Sequence, residues 1–369
     1  MPLTSSSWMG RESLPQELIG DVVSMADFGL LTTIACACYT LQVEAERLLY
    51  RCLIIDDLLT LRDIHNALLA VPRRRLAVQS LSIPMRKRPL DEVDYEYCLR
   101  GILSLTDNLI SLETLHYPTY QAPILHPPTG TSYTFRLRKL ITQFAHDPYL
   151  VEFLTSQTEI EDLEVIGWNG GSEVPSTALP KLAKLTGTYE VISHLAPGRA
   201  AICDVTAEQL YTYLQPAGNY SPETLLVALS RAAGGITRLQ LNMRDIQGLH
   251  IHQIGQAVPS LTELTLHTTF LPTNEILFSL SDRDWVEGLG LLKSLKYLRI
   301  SMLEVMPPHQ LSEKAETILN GWKTLCPSLS YVVFPDDREW GCMTEGGWEM
   351  AGISEMPKAG DEIVLLSQI

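Results

Sequence analysis

Three short patterns in this 369-residue sequence place side chains or backbone where chemistry is conceivable. His250-x-His252 would set two imidazoles on one side of an extended segment, the beginning of a metal site. No carboxylate or cysteine cluster adjoins them, so no metal ligand set is expected. Cys36-x-Cys38 has a single intervening residue, too few for a zinc knuckle, and no second pair follows. On a helix those thiols point to different faces, which predicts small buried side chains instead. Gly288-Leu-Gly290 lacks the third glycine of a dinucleotide fingerprint and does not follow a strand. The nucleophile elbow G-x-S-x-G, the P-loop, H-E-x-x-H and the EF-hand pattern are all missing. The expectation is a protein that is not an enzyme, with no catalytic residue, no metal and no cofactor.

The apolar residues are organised as a repeat. A pattern L-x-x-L-x-Φ, with Φ apolar, recurs at Leu112-Glu-Thr-Leu115-His-Tyr117, Ile160-Glu-Asp-Leu163-Glu-Val165 and Ile236-Thr-Arg-Leu239-Gln-Leu241. It returns at Leu261-Thr-Glu-Leu264-Thr-Leu266, Leu295-Lys-Tyr-Leu298-Arg-Ile300 and Leu329-Ser-Tyr-Val332-Val-Phe334. Weaker copies centre on Leu81, Leu140, Leu185 and Val205, and the steps between centres run from 20 to 34 residues. Between copies the apolar spacing is helical, as in Leu61, Ile64, Leu68 and Val71, or Tyr95, Cys98, Leu99 and Ile102. Several helices stop at Pro or Gly just before the next copy, as in Val258-Pro259-Ser260-Leu261 and Cys326-Pro327-Ser328-Leu329. A strand-plus-helix unit cannot bury its own apolar face, so such units stack. The pattern resembles leucine-rich repeats and implies an α/β solenoid, with a parallel sheet on the concave face and helices outside. Residues alternating with the core leucines would face a binding partner, and among these Glu113, Glu161, Glu164, Gln240, Thr265 and Arg299 are the candidate target-binding residues.

Composition narrows the partners. The formal net charge is −15, which disfavours nucleic acid, since a phosphate-binding protein needs a basic face. Two basic runs, Arg73-Arg74-Arg75 and Arg86-Lys87-Arg88, read as solvated loops between a helix and a strand. The opening Met1–Gly10 has neither a charged start nor an apolar block, so no secretory signal is expected there. No apolar run approaches the roughly 20 residues that span a bilayer. Seven scattered cysteines fit reduced, mostly buried thiols of the cytoplasm or nucleus better than a disulfide framework.

Residues 14–55 have a different rhythm, with three short helical stretches leading to an extended Cys52-Leu-Ile-Ile55. The stretch opens Leu14-Pro15 with Glu17-Leu18-Ile19, continues through Leu30-Leu31 and Ala35-Cys36-Ala37-Cys38, and ends Arg47-Leu48-Leu49-Tyr50-Arg51. In these motifs it resembles an F-box, and the whole chain resembles the fungal, basidiomycete-type F-box proteins with degenerate leucine-rich repeats. The resemblance implies a substrate-recognition subunit of a ubiquitin ligase. Its F-box would hold the Skp-type adaptor, and through it a cullin, with Leu14, Pro15, Leu18, Ile19, Val22, Leu30, Leu31 and Ile34 as contacts. A scaffold of the same architecture, whose N-terminal segment is only a cap, is the alternative. The organisation expected is a disordered 1–13, an F-box-like unit 14–55, a solenoid 56–335 and a C-terminal cap or tail 336–369, the last with Trp340 and Trp348 in a hairpin.

Overall fold

A repeat that leaves one apolar face open has to meet its neighbour in strict register, and the backbone shows how. The computed structural model of the chain describes residues 16–84, 92–115, 122–127, 133–143, 148–166, 173–208, 222–243, 251–268, 283–302, 312–335, 337–343 and 347–353. The chain divides into two units, Met1–His116 with His126–Leu137, and Tyr117–Leu125 with Arg138–Ile369.

The first unit opens with helices α1 (Gln16–Ser24), α2 (Phe28–Ile34) and α3 (Tyr39–Leu49). The Asp27 carboxylate accepts the Leu30 N–H at 2.8 Å and caps α2. Along α1 and the turn that closes it two apolar stripes run at helical spacing. Ile19, Val23 and Ala26 turn inward and meet Leu31, Leu41, Ala45 and Leu48, while Leu18, Val22 and Met25 are exposed. So small a core needs outside support. The support comes from β1 (Cys52–Ile54), α4 (Leu58–Ala70), α5 (Pro72–Ala77), β2 (Ser80–Ile83), α6 (Glu92–Leu105) and β3 (Ser111–Thr114).

The run Arg73-Arg74-Arg75 is not a solvated loop but the body of α5, started by Pro72 at its first turn. Arg73 and Arg74 donate to the two oxygens of buried Glu46 on α3, at 2.8 and 2.7 Å. Their guanidinium groups also lie over the rings of Tyr39 and Tyr50, 5.4 and 5.0 Å from the centroids. Arg75 bonds the carbonyls of Leu68 and Leu69 in the last turn of α4. α3 is therefore clasped to α5, and α1 and α2 pack on α3. The second basic run, Arg86-Lys87-Arg88, lies outside the described residues.

β1, β2 and β3 pair in parallel, with Leu53, Leu81 and Leu112 in register. This corrects the repeat frame by three residues: Leu112, not Leu115, is the central core position, and Leu109 is the apolar residue that opens the copy. The physical reason is the strand entry, where Ile110 and Ser111 N–H both bond the Gln79 carbonyl. Buried Thr114 takes the Φ position, which an apolar-only pattern overlooks.

The second unit runs β4 (Lys139–Thr142), α7 (Pro148–Ser156), β5 (Asp162–Val165), β6 (Lys184–Thr188), α8 (Tyr189–Leu195), β7 (Asp204–Glu208), α9 (Pro222–Ser230) and β8 (Arg238–Met243). It continues with α10 (Ile251–Ala257), β9 (Glu263–Thr268), α11 (Arg283–Leu291), β10 (Tyr297–Met302), α12 (Ser312–Leu325), β11 (Tyr331–Val333), β12 (Arg338–Cys342) and β13 (Trp348–Ile353). β4 to β11 are parallel, each beside its chain neighbour. Leu140, Leu163, Leu185, Val205, Leu239, Leu264, Leu298 and Val332 form a buried inner row beneath the helices. At ~1.5–3 kcal/mol for each buried aliphatic side chain, that row is a major share of the stabilisation of the unit.

Register is set by a repeated device. One carbonyl before each strand accepts two successive N–H groups from the next repeat: Ala183 O takes Cys203 and Asp204, and Cys203 O takes Thr237 and Arg238. Thr237 O, Thr262 O and Lys296 O repeat the arrangement. Where Ser precedes the opening leucine, its hydroxyl adds a bond to the previous copy, Ser260 to Ile236 O at 2.9 Å and Ser328 to Leu295 O at 2.7 Å.

Helices meet closely at glycine. A Cβ at Gly288 of α11 would sit 2.5 Å from the His252 backbone nitrogen, and one at Gly255 of α10 2.9 Å from the Gly288 carbonyl. Gly288-x-Gly290 thus serves helix contact. His252 lies in α10 and bonds Gln256, so it is not part of an extended segment, and His250 lies outside the described residues. Buried Arg199 donates to the carbonyls of Val174, Pro175, Ala178 and Leu195 and fastens the segment ahead of β6 to α8. At the far end β12 and β13 form an antiparallel hairpin on β11. Trp348 is buried there, and Trp322 of α12 stacks on Trp285 and meets Phe334 at a tilt. The cysteines depart from expectation: Cys36, Cys38 and Cys52 are exposed, because the first two fall in the turn after α2.

Candidate functional site

Strand alternation leaves one face of the second unit's sheet to the helices and the other to solvent. On the solvent face the residue just before the inner row alternates in charge across neighbouring strands: Lys139, Asp162, Lys184, Asp204, Arg238 and Glu263. The Arg238–Asp204 pair closes to 3.0 Å and Lys184–Asp162 to 4.0 Å. Tyr297 and Tyr331 then continue the row as stacked rings 5.4 Å apart. This edge of the face neutralises itself.

One pleat further, the row reads Glu164, Thr186, Thr206, Gln240, Thr265 and Arg299 in register. Beyond it lie Thr188, Glu208, Asn242, His267 and Ser301. Asn242 donates to Glu208 at 3.5 Å and Gln240 to Asn242 at 3.4 Å, and His267 is hydrogen-bonded to Ser301. Asp337, in the left-handed region that aspartate tolerates (φ 59), turns the chain into β12 and sets its carboxylate 3.7 Å from Arg299.

Electrostatics divide this face. Burial, and then the charge of Glu208, raises the Glu164 carboxyl above its ordinary range, with Lys184 and Lys139 only partly opposing. Burial raises Glu208 likewise. At the other end burial, with Arg299 beside it, drops His267 to about 4, so its imidazole is neutral at physiological pH.

Of the candidate target-binding residues, Glu164, Gln240, Thr265 and Arg299 share one row of this face. Glu161 does not: it precedes β5, in the strand-entry ladder, 3.6 Å from Arg138. Glu113 belongs to the first unit, where Ser82 donates to it at 3.0 Å. Glu208, Asn242, His267 and Ser301 were missed. The residue after Φ in each copy carries them, and extending the pattern by one position would have found them.

On the three-helix segment Leu18, Val22 and Leu30 are exposed, and Val22 keeps 66% of its surface. Met25, Phe28 and Tyr39 join them at 71–85%, a signal the motif reading passed over. Ile19 and Ile34 pack against the segment's own core. Leu31 is buried in that core with Val23 and Ala45, so it holds the helices together and offers no surface. Leu14 and Pro15 lie outside the described residues. Among the described residues no three His, Cys, Asp or Glu side chains group to hold a metal, and no helix is long and apolar enough to cross a membrane.

No family model matches the sequence, and no curated protein matches it. Among solved structures, internalin C2 from Listeria monocytogenes is similar over 59% of this chain and 80% of its own, at 15% identity and a TM-score of 0.24.

Proposed function

We propose that the protein is a non-catalytic interaction protein, the substrate-recognition subunit of a Skp-cullin-F-box ubiquitin ligase acting in the cytoplasm or nucleus. The three N-terminal helices hold the Skp-type adaptor, and the solvent face of the sheet holds a protein target. The observation that carries the reading is the second apolar stripe along α1 and the turn that closes it. Leu18, Val22 and Met25, at i, i+4 and i+7, remain exposed although the helix already has an inward stripe. That spacing is how a helix seats in a partner's apolar groove. Phe28, Leu30 and Tyr39 extend it on the neighbouring helices.

Co-purification with a Skp-type adaptor tests the reading. Leu18→Asp with Val22→Asp leaves the inward stripe intact and is expected to abolish capture, whereas wild-type protein that fails to capture the adaptor sinks the ligase reading. A scaffold with the same architecture is the second reading. It is favoured by the Glu46 clasp, which fastens α3 to α5 as a terminal cap would be fastened.

A further inference from the structure

On the solvent face of the second unit, acidic residues at the strand starts are answered within the protein. Asp162 has Lys184, and Asp204 has Arg238. Glu164 and Glu208 are not answered in the same way. In register their strand neighbours are Ile141 and Thr186 for Glu164, and Thr188 and Asn242 for Glu208, with no cation among them. Lys139 and Lys184 reach Glu164 only from one pleat away.

Between the two carboxylates lies Thr186, on the same solvent face and beside Glu164 in register. It is 8% exposed, and its hydroxyl has no hydrogen-bond partner among the described residues. Glu164 likewise accepts no hydrogen bond there. The Thr186 oxygen is not sealed from solvent, so a group from outside can reach it on this face, and a half-buried carboxylate that accepts no hydrogen bond is unfavourable. β6 buries Thr186 where strict alternation would expose it. Two strand steps of ~4.8 Å and two residues of ~3.3 Å separate Glu164 from Glu208, which puts their Cα atoms about 12 Å apart. Two glutamate side chains leaning together across that span leave room for one flat or compact cation between them.

We infer that Glu164, Thr186 and Glu208 form a subsite for a lysine or arginine side chain of the target protein. The cation would take a carboxylate on each side and donate a further hydrogen bond to the Thr186 hydroxyl. The target is then a segment with an obligatory basic residue, in keeping with a chain of net charge −15. Burial raises the proton affinity of both glutamates, and for Glu164 the charges of Glu208 and Asp162 add to it while Lys184 and Lys139 oppose it only in part. This inference rests on the reading of the sheet face as the target-binding surface, and it is independent of the adaptor.

The test is selection of a displayed random 12-residue peptide library on the immobilised full-length protein. Selected peptides are expected to converge on a Lys or Arg at one fixed position. Their affinity should fall about tenfold to hundredfold in the Glu164→Gln, Glu208→Gln double variant, as loss of a charge-assisted contact dictates. Leu18→Asp with Val22→Asp should leave them unaffected. Peptides without a fixed cation, or a selection that yields no binders, overturn the subsite. If such cation-free peptides are lost on Gln240→Trp, which obstructs the same face elsewhere, the face still binds targets and only the subsite is wrong. Peptides indifferent to all these variants overturn the face as well. Calorimetric binding of Mg²⁺ or Ca²⁺ alone that disappears in the double variant would assign the carboxylates to a metal and likewise refute the inference.

Discussion

Replacing Glu46 with Gln removes one charge from the contact that fastens the N-terminal helices. The side chain is 7% exposed and accepts from Arg73 and Arg74 at 2.8 and 2.7 Å. Burial alone would raise its carboxyl, but the bonds from Arg74 and Arg73 outweigh that and hold it below the free value of 4.5. Glutamine keeps the volume and one carbonyl acceptor while losing the charge. Charged hydrogen bonds contribute ~1.5–3 kcal/mol, and the arginine side chains are 33% and 21% exposed, so solvent screening argues for the low end, about 2 kcal/mol. Amide exchange in α3 and α5 should therefore accelerate about thirtyfold at neutral pH. Asp94→Asn, which breaks the exposed Arg62–Asp94 pair of the same unit, should change exchange less than about threefold. The sign of the pH dependence comes from the depressed acid. Stability from Glu46 is complete above the free value of 4.5 and is lost as pH falls through the lower folded value, so wild type and variant should converge in acid. Unchanged exchange at pH 7, or a deficit that persists undiminished in acid, would refute the clasp.

The second unit supplies further expected outcomes. Gly288→Ala places a methyl 2.4 to 2.6 Å from Ile251 and the His252 backbone and should destabilise by about 1–3 kcal/mol. Gly321→Ala meets nothing within 4 Å inside α12 and should stabilise by about 0.5–1 kcal/mol, both read as urea midpoints. For His267 the folded value of about 4 lies below the free 6.5. Its stability contribution is thus present above pH 6.5 and lost as pH falls toward 4, by about 3 kcal/mol at ~1.36 per unit. His267→Asn should flatten that slope in denaturation curves at pH 7, 5.5 and 4, and an unchanged slope would assign it to other groups.

Much of the fold was legible because its signal is local. A strand leucine is buried every time its copy occurs, and helical spacing identifies the outer layer without any knowledge of neighbours. The frame failed at Leu112 and Leu115, where both residues are leucine and Thr114 fills an apolar position. The strand register, the burial of Leu112 and the hydrogen bonds to Gln79 distinguish the two frames. The arginine run misled for a similar reason. Its charge suggested solvent, but its counter-ion, Glu46, lies 27 residues away from Arg73. Cys36 and Cys38 were judged as helical positions, and one turn between helices reversed their exposure.

By itself the sequence determined the strand-and-helix repeat, eight successive inner-row residues of the second unit, and the alternation that puts Gln240, Thr265 and Arg299 on solvent. Periodicity suffices for these, since burial of a regular element depends on spacing alone. Tertiary structure decided which charges are answered. Asp204 has Arg238 and Glu46 has two arginines, whereas Glu164 and Glu208 are set across Thr186 without a facing cation. Ion pairing depends on which strands are neighbours and in what register, and those partners are 20 to 40 residues apart along the chain. No local pattern can carry that information.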